Sequence, residues 1–231
     1  MTENYTKSVL SARKFSREKI NKEYPKSLEI ISLMDKYFTS LINRFQNVSG
    51  TGEIDNYKSA LTVSFIRTQL IISEHIINSE LIEVSILERK QIELLARFSE
   101  IDKKVSNKES ISRLIGKTPN IGNGNLGENL KSMYGMFSEI THSSKTEPFA
   151  LLVEEQNPDS IGYSVLPEYD SKNTTVALNN HIQVFFDFVI YMFSFQKKIM
   201  PNYDVAVDME LIDNLLEAGK VSKLTVFDRF K

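Results

Sequence analysis

Apolar residues recur every three or four positions along most of the chain, which is the spacing of helices that bury one face. This spacing predicts helices at 27–46, 56–77, 79–104, 126–142, 173–197 and 209–218. The pattern therefore predicts a mainly α fold, an antiparallel multi-helix bundle of about five or six helices. The expected organisation is an N-terminal arm, a helical bundle domain, and a C-terminal helix and tail, at 1–26, 27–200 and 201–231.

The predicted helix at 79–104 carries apolar residues on two sides. One side contains Val84, Leu87, Gln91, Leu94, Leu95, Phe98 and Ile101. The other side contains Ile82, Ile86, Arg89, Glu93 and Ala96. Because apolar residues on both sides need cover on both sides, we predict that this is a central helix of the bundle. The pattern leaves open whether 57–104 is one long helix or two helices separated at Asn78-Ser79.

A short helix and a glycine-rich loop are predicted after this segment. Ser106 and Glu109 have the spacing of a capping box, which would begin a short helix. Gly116 is expected to end that helix. The following loop contains the pattern G-x-G-x-x-G at Gly122, Gly124 and Gly127. A dinucleotide-binding fingerprint follows a β-strand, whereas a helix precedes this loop. We therefore interpret the glycines as a turn and predict no cofactor.

The segment between the helices at 126–142 and 173–197 has a different pattern. Its two apolar runs, FALLVE and IGYSVL, are joined by the polar linker EQNPDS. Runs of this kind indicate short strands. A small β-hairpin at 149–166 is therefore expected beside the helices.

The most apolar run in the chain, VFFDFVIYMFSF, lies within the predicted helix at 173–197. The run itself is too short to span a bilayer. Because its apolar residues cover more than one face, we expect either self-association through 182–195 or a position at the bundle centre. Asp187 falls on the polar side of this helix, so we expect a partly solvated carboxylate. Further along, Asp208 is predicted to cap the last helix and Gly219 to end it.

Composition and charge narrow the function classes. The chain has 231 residues, a net charge of −2 at pH 7 and no cysteine, which excludes disulfides, thiolate nucleophiles and cysteine zinc sites. The first residues lack the apolar core of a signal peptide, so we expect a cytoplasmic protein with no membrane partner. The arm 1–26 has seven basic and three acidic residues, a net charge of +4. Aromatic residues are sparse there, so nucleic-acid binding is not the favoured role of this arm.

The chain has three histidines, and their sequence neighbours do not complete a known metal-binding pattern. Glu139 and His142 have the spacing found in di-iron four-helix bundles, but neither His75 nor His181 has a glutamate three residues earlier. We therefore predict no metal site. Ser138 and His142 lie one helical turn apart, but no G-x-S-x-G nucleophile elbow accompanies them.

One polar cluster is predicted between the helices at 79–104 and 126–142. Its five candidate residues lie at the edges of the two apolar stripes: Arg89, Glu93, Tyr134, Ser138 and His142. Polar groups at such positions are costly to bury alone but tolerable when they bond to one another. We expect Glu93 to accept a hydrogen bond from Tyr134 or His142. The cluster is interpreted either as a structural network or as a catalytic site.

Arg89 and Glu93 form an R-x-x-x-E motif, and Tyr134, Ser138 and His142 form Y-x-x-x-S-x-x-x-H. In these motifs the chain resembles uncharacterised bacterial all-helical proteins, some of which are similar to HEPN-type domains. The resemblance covers about 57–200 and implies a helical bundle. HEPN-type domains include ribonucleases of defence and toxin–antitoxin systems, but their pattern of Arg, four to six residues and His is absent here.

Two function hypotheses follow. The first is a non-enzymatic helical interaction module, a self-associating or partner-binding component of a bacterial or phage-related system such as defence. The alternative is a metal-independent nuclease or other hydrolase that uses the polar cluster. A homo-oligomer is expected under the first hypothesis, and a protein partner is also compatible with it.

Overall fold

The computed structural model describes residues 4–46, 48, 52–104, 111–122, 126–142, 153–157, 160–200 and 202–230. These residues contain seven α-helices: α1 (Tyr5–Glu23), α2 (Pro25–Phe45), α3 (Glu53–Ile77), α4 (Leu81–Lys104), α5 (Glu128–His142), α6 (Ser171–Ile199) and α7 (Val205–Lys220). A 3-10 helix covers Thr225–Phe230, and strands β1 (Val153–Asn157) and β2 (Ser160–Tyr163) form an antiparallel hairpin. The mainly α fold is therefore confirmed, with a hairpin inside the predicted range.

The predicted capping box at Ser106 and Glu109 lies outside the described residues. A helical turn is present at 111–115, where the backbone N–H of Ile115 donates to the carbonyl of Ile111. Gly116 follows with a φ of 81°, a left-handed conformation that glycine adopts without strain. Gly116 thus directly follows the described helical turn, at the position predicted for the end of the short helix.

The N-terminal arm is helical over most of its length, although its apolar spacing gave little indication of a helix. Asn4 caps α1 by accepting a hydrogen bond from the backbone N–H of Thr6. Only Ser16 and Ile20 are buried in this helix. Polar contacts therefore supply much of its attachment to the bundle, which explains why a hydrophobic period does not reveal it.

Helices α3 and α4 are separate, which answers the question left open by the sequence. Ser79 has a φ of 60°, the only positive φ of a non-glycine residue in the described part of the chain. Asn78 and Ser79 end α3 with hydrogen bonds back to its last turn, and α4 begins two residues later. The left-handed residue reverses the chain, so α4 packs back along α3.

Helix α6 lies at the centre of the bundle. The ring of Phe188 stacks on Phe65 of α3 with ring centroids 4.0 Å apart. Phe185 makes edge contacts with Tyr37 and Phe38 of α2. Helix α4 also contacts three neighbours, α3, α5 and α6, as expected of a central helix. Helices α4 and α6 therefore lie side by side in the core.

The apolar excess at 182–195 is largely satisfied inside the chain. Its buried residues include Phe185, Phe186, Phe188, Val189, Met192 and Phe195. Ile190 is the exception, with 67% of its surface exposed. By length and composition α6 as a whole could cross a membrane, unlike the short run considered alone. However, 56% of its most apolar window is buried within the bundle, as in the core helix of a protein that does not span a membrane.

The expected roles of Asp208 and Gly219 in the last helix are wrong. Asp204 caps α7 by accepting from the backbone N–H of Ala206, while Asp208 lies in the first turn and is fully buried. Gly219 lies inside the last turn, and the helix continues to Lys220. A Cβ at Gly219 would overlap the ring of Phe227, so glycine is required there for close packing.

Candidate functional site

The predicted polar cluster is assembled between α4 and α5. Arg89 Nη1 lies 3.1 Å from Nε2 of His142, and its Nη2 donates to the hydroxyl of Tyr134 at 3.3 Å. The Tyr134 hydroxyl in turn donates to Glu93 Oε1 at 3.2 Å. Arg89 Nε lies 3.4 Å from the same carboxylate oxygen, and its guanidinium lies over the Tyr134 ring. Four of the five predicted residues therefore form one connected network.

Ser138 does not join this network. Its hydroxyl is buried and has no hydrogen-bond partner in the described part of the chain. A serine nucleophile requires a base within hydrogen-bond distance and access for the substrate. The geometry therefore gives no support to Ser138 as a nucleophile activated by His142.

The cluster lies at the surface of the bundle. His142 is exposed, whereas the side chains of Arg89 and Glu93 are 18% and 28% exposed. Because a guanidinium only donates, its bond to His142 uses the Nε2 lone pair of a neutral imidazole. Each of the four side chains thus has a partner within the network, and His142 is the most exposed of them. Such an arrangement ties α5 to α4 and still presents an imidazole to a ligand.

A second polar group, missed by the sequence analysis, attaches α1 to the turn between α3 and α4. Glu80 accepts from Arg13 Nε at 2.7 Å and lies 2.5 Å from Nδ1 of His75. Burial alone would raise the pKa of Glu80, but the bonds from His75 and Arg13 outweigh it and lower the pKa. Nearby, Arg17 binds both Asn78 and Glu74. Two cations of the basic arm are thus already paired with carboxylates of the bundle.

A third polar group crosses the core from α3 to α6 and α4. The ring of His181 bonds to the amide of Gln69 and the hydroxyl of Ser73, and Gln69 accepts from Gln91. Burial lowers the pKa of His181 to about 3, so the imidazole is neutral at physiological pH. Because both neighbours are uncharged and the site is dry, this network is suited to fixing the helices relative to one another.

Glu88 is the most unusual buried residue of the structure. It is fully buried on α4, and neither of its carboxylate oxygens has a partner in the described part of the chain. Burial raises the pKa of Glu88 well above its ordinary value. Buried carboxylates without partners are rare because their desolvation is costly.

Potential metal ligands do not converge in the described part of the chain. No group of three or more His, Asp or Glu side chains is found there in an arrangement that could hold an ion. Glu139 and His142 both lie on α5, and Gly124 of the glycine pattern lies outside the described residues.

Local spacing was sufficient to find Arg89, Glu93, Tyr134 and His142, because each pair lies on one helix edge. It could not find Glu88, which sits in a stretch with several charged neighbours and resembles a solvated position. Comparison with protein-family models, with curated proteins and with solved structures finds no match for this chain.

Proposed function

We propose that the chain is a non-enzymatic helical interaction module that self-associates through an apolar groove between α2 and α3. The observation that carries this proposal is the groove itself, which stays open to solvent beside a closed core. The proposal follows the first of the two function hypotheses, but it places self-association at this groove instead of at 182–195.

The α2–α3 groove has a volume of about 350 Å³. Its apolar lining consists of Ile42, Phe45, Val48, Ala60, Val63 and Ile66. Two of these side chains are largely exposed, Ile42 at 38% and Val63 at 58%. An open apolar surface of this kind is typical of a binding site, since covering it removes apolar area from water and lowers the free energy.

The apolar surface continues along α3 beyond the groove. Leu70 and Ile71 follow Val63 by seven and eight residues, a spacing that places all three on one side of the helix. All three are exposed. The continuation gives the groove the length of a helix-on-helix contact.

A second copy of this chain is the occupant that fits this surface. In a two-fold symmetric dimer the same patch of both copies meets itself, so each copy must offer both a hollow and a projection. The α2–α3 groove supplies the hollow, and the exposed Leu70 and Ile71 beyond it on α3 supply the projection. Burial of apolar surface on both sides would stabilise the pair by about 25 cal/mol for each Å² removed from water.

Matched charge substitutions test where the chain self-associates. Val63→Glu places a carboxylate in the groove. Ile190→Glu places one at the exposed apolar residue of 182–195. Both positions are exposed, so both variants should fold. The proposal predicts that Val63→Glu weakens self-association at least tenfold in light scattering and that Ile190→Glu leaves it unchanged. The reverse result would instead support the segment 182–195, and equal effects would exclude a specific role for the groove.

The resemblance to HEPN-type proteins supports a role for such a module in a bacterial or phage-related system. We propose a cytoplasmic component of a bacterial or phage-related system, such as a defence system. The absence of the Arg and His ribonuclease spacing supports a binding role over a catalytic one.

A hydrolase remains the second candidate because His142 is exposed beside Arg89. For catalysis Arg89 would have to release the Nε2 lone pair of His142 and move onto a phosphate. The imidazole could then accept a proton from an attacking hydroxyl while the guanidinium stabilises the charge on the phosphate. Incubation with single-stranded RNA, without added metal, tests this activity. His142→Ala and Arg89→Ala should abolish it, while Lys90→Ala, which removes an exposed cation next in sequence to Arg89, should not. Cleavage that survives both active-site changes would exclude the cluster as its source.

A further inference from the structure

A cavity lies between α4, α5 and α6, on the side of α4 that carries Glu88. Its volume is about 100 Å³. One water needs only roughly 15 Å³ of such space, so the cavity has room for a small organic molecule. Met136 and Val176 line the cavity and are themselves exposed, which gives it a route to solvent.

The lining combines one carboxylate with apolar surface, two amides and the hydroxyl of Ser85, which donates to the carbonyl of Leu81. The apolar part includes Val84, Phe137, Ile140 and Ala177. Asn173 of α6 and Asn180, two turns further along, provide side-chain amides. Glu88 is the only ionisable residue among the described residues that line the cavity. A ligand therefore meets one acid, two amide oxygens and several hydrocarbon groups.

We propose that this cavity binds a small primary ammonium ion, such as a short alkylamine, through the unpartnered carboxylate of Glu88. An ionised carboxylate only accepts hydrogen bonds, so its ligand must donate. An ammonium group has three donors, one or two for Glu88 and the remainder for the carbonyl oxygens of Asn173 and Asn180. Its positive charge offsets the cost of the buried negative charge, as in other buried pairs.

The lining of the cavity argues against metal ions and anions as ligands. Magnesium and calcium ions need six or more oxygen ligands, and a single carboxylate with two amides supplies too few. An anion would meet the carboxylate of Glu88, and none of the described residues that line the cavity is a cation. A short alkyl chain, by contrast, packs against Phe137 and Ile140 while its ammonium group reaches the acid.

Binding is coupled to the proton on Glu88. In the empty cavity burial raises the pKa of Glu88 well above its usual range, so the acid tends to be protonated and neutral. An ammonium ion keeps its charge up to about pH 10, so it must displace this proton. No other titratable group of α4, α5 or α6 lines the cavity. Affinity is therefore expected to rise with pH as the acid loses this proton more readily.

Titration calorimetry with ethylammonium chloride on the full chain tests the proposal, with sodium chloride and tetramethylammonium chloride as controls for ionic strength and size. We expect saturable binding of ethylammonium only, weakened at least tenfold by Glu88→Gln. Glu83→Gln, an exposed change on the same helix, should leave binding unchanged. Ala177→Leu, which fills the cavity and keeps the acid, should also abolish binding.

Two results would overturn the proposal. One is no saturable binding of ethylammonium to the unmodified chain at pH 8.5, which would mean that the cavity holds water only. The other is binding that persists in both Glu88→Gln and Ala177→Leu, which would place the ammonium ion elsewhere. Circular dichroism of each variant confirms that a loss of binding does not reflect unfolding.

Discussion

Arg44 of α2 donates to both carboxylate oxygens of Asp208 in α7, at 2.8 and 3.0 Å. The Asp208 side chain is completely buried, whereas Arg44 is partly exposed. Gln196 and Tyr203 also donate to this carboxylate, at 3.1 and 2.6 Å. Three of these four hydrogen bonds hold the C-terminal helix on α2 and α6, since Tyr203 lies only five residues before Asp208, and 164 residues separate the two charged partners.

Removing the charge of Asp208 should strongly destabilise the chain. Asp208→Ala leaves Arg44, Gln196 and Tyr203 with fewer partners, and loss of one member of a buried pair costs about 3–5 kcal/mol. Urea denaturation measures the change in the free energy of unfolding. Asp213→Ala, an exposed change on the same helix, serves as the control and should cost less than about 0.5 kcal/mol. Equal effects would mean that the buried pair contributes no more than a surface carboxylate.

The roles of Asp208 and of the arm show where sequence reasoning stops. Periodicity located the helices because each buries a stripe, and it located Arg89 and His142 because each flanks such a stripe. Asp208 was assigned to a cap because aspartate favours that position, and only the distant Arg44 explains its burial. Likewise, α1 is held by the bond from Arg13 to Glu80 in the turn before α4, and such a contact leaves no periodic signal in either segment.

The burial of Glu88 predicts an unusual dependence of stability on pH. The pKa of Glu88 is raised in the folded state, so between its unfolded pKa, near 4.5, and its folded pKa the folded chain binds a proton that the unfolded chain has lost. Stability from this group is therefore lost as pH rises through that window. Glu88→Gln should remove this loss and be more stable than the unmodified chain at pH 8.

Urea denaturation at pH 4 and pH 8 measures this effect. The free energy of unfolding of Glu88→Gln minus that of the unmodified chain should be larger at pH 8 than at pH 4. A gain that is the same at both pH values, or a variant less stable at pH 8, would contradict an unpaired buried carboxylate.

Replacement of two helical glycines by alanine should change the stability of the chain in opposite directions. Gly219→Ala pushes a methyl group into the ring of Phe227 and should cost about 1–3 kcal/mol, as overpacking does. Gly135 of α5 has open space around its Cβ position, so Gly135→Ala should stabilise the chain by about 0.4–1 kcal/mol. Thermal unfolding of both variants tests the pair, and a stable Gly219→Ala variant would show that Phe227 can move away without cost.

The N-terminal arm is expected to bind nucleic acid only weakly. Its net charge of +4 could neutralise few phosphates, and Arg13 and Arg17 are already paired with Glu80 and Glu74. Fluorescence anisotropy with labelled RNA and DNA at about 0.15 M salt, close to physiological ionic strength, measures this affinity. The control is a variant in which four lysines are changed to Gln: Lys7, Lys14, Lys19 and Lys22. The expectation would be contradicted by submicromolar binding that falls steeply with salt and is lost in this variant.

The mass of the unmodified chain in solution tests the proposed self-association most directly. One chain has a mass of 26.5 kDa, so a symmetric pair has a mass of about 53 kDa. Light scattering across a dilution series should give a mass near that of the pair at high concentration and a fall towards 26.5 kDa on dilution. A constant mass of 26.5 kDa at all concentrations, with the α2–α3 groove open to solvent, would contradict the account.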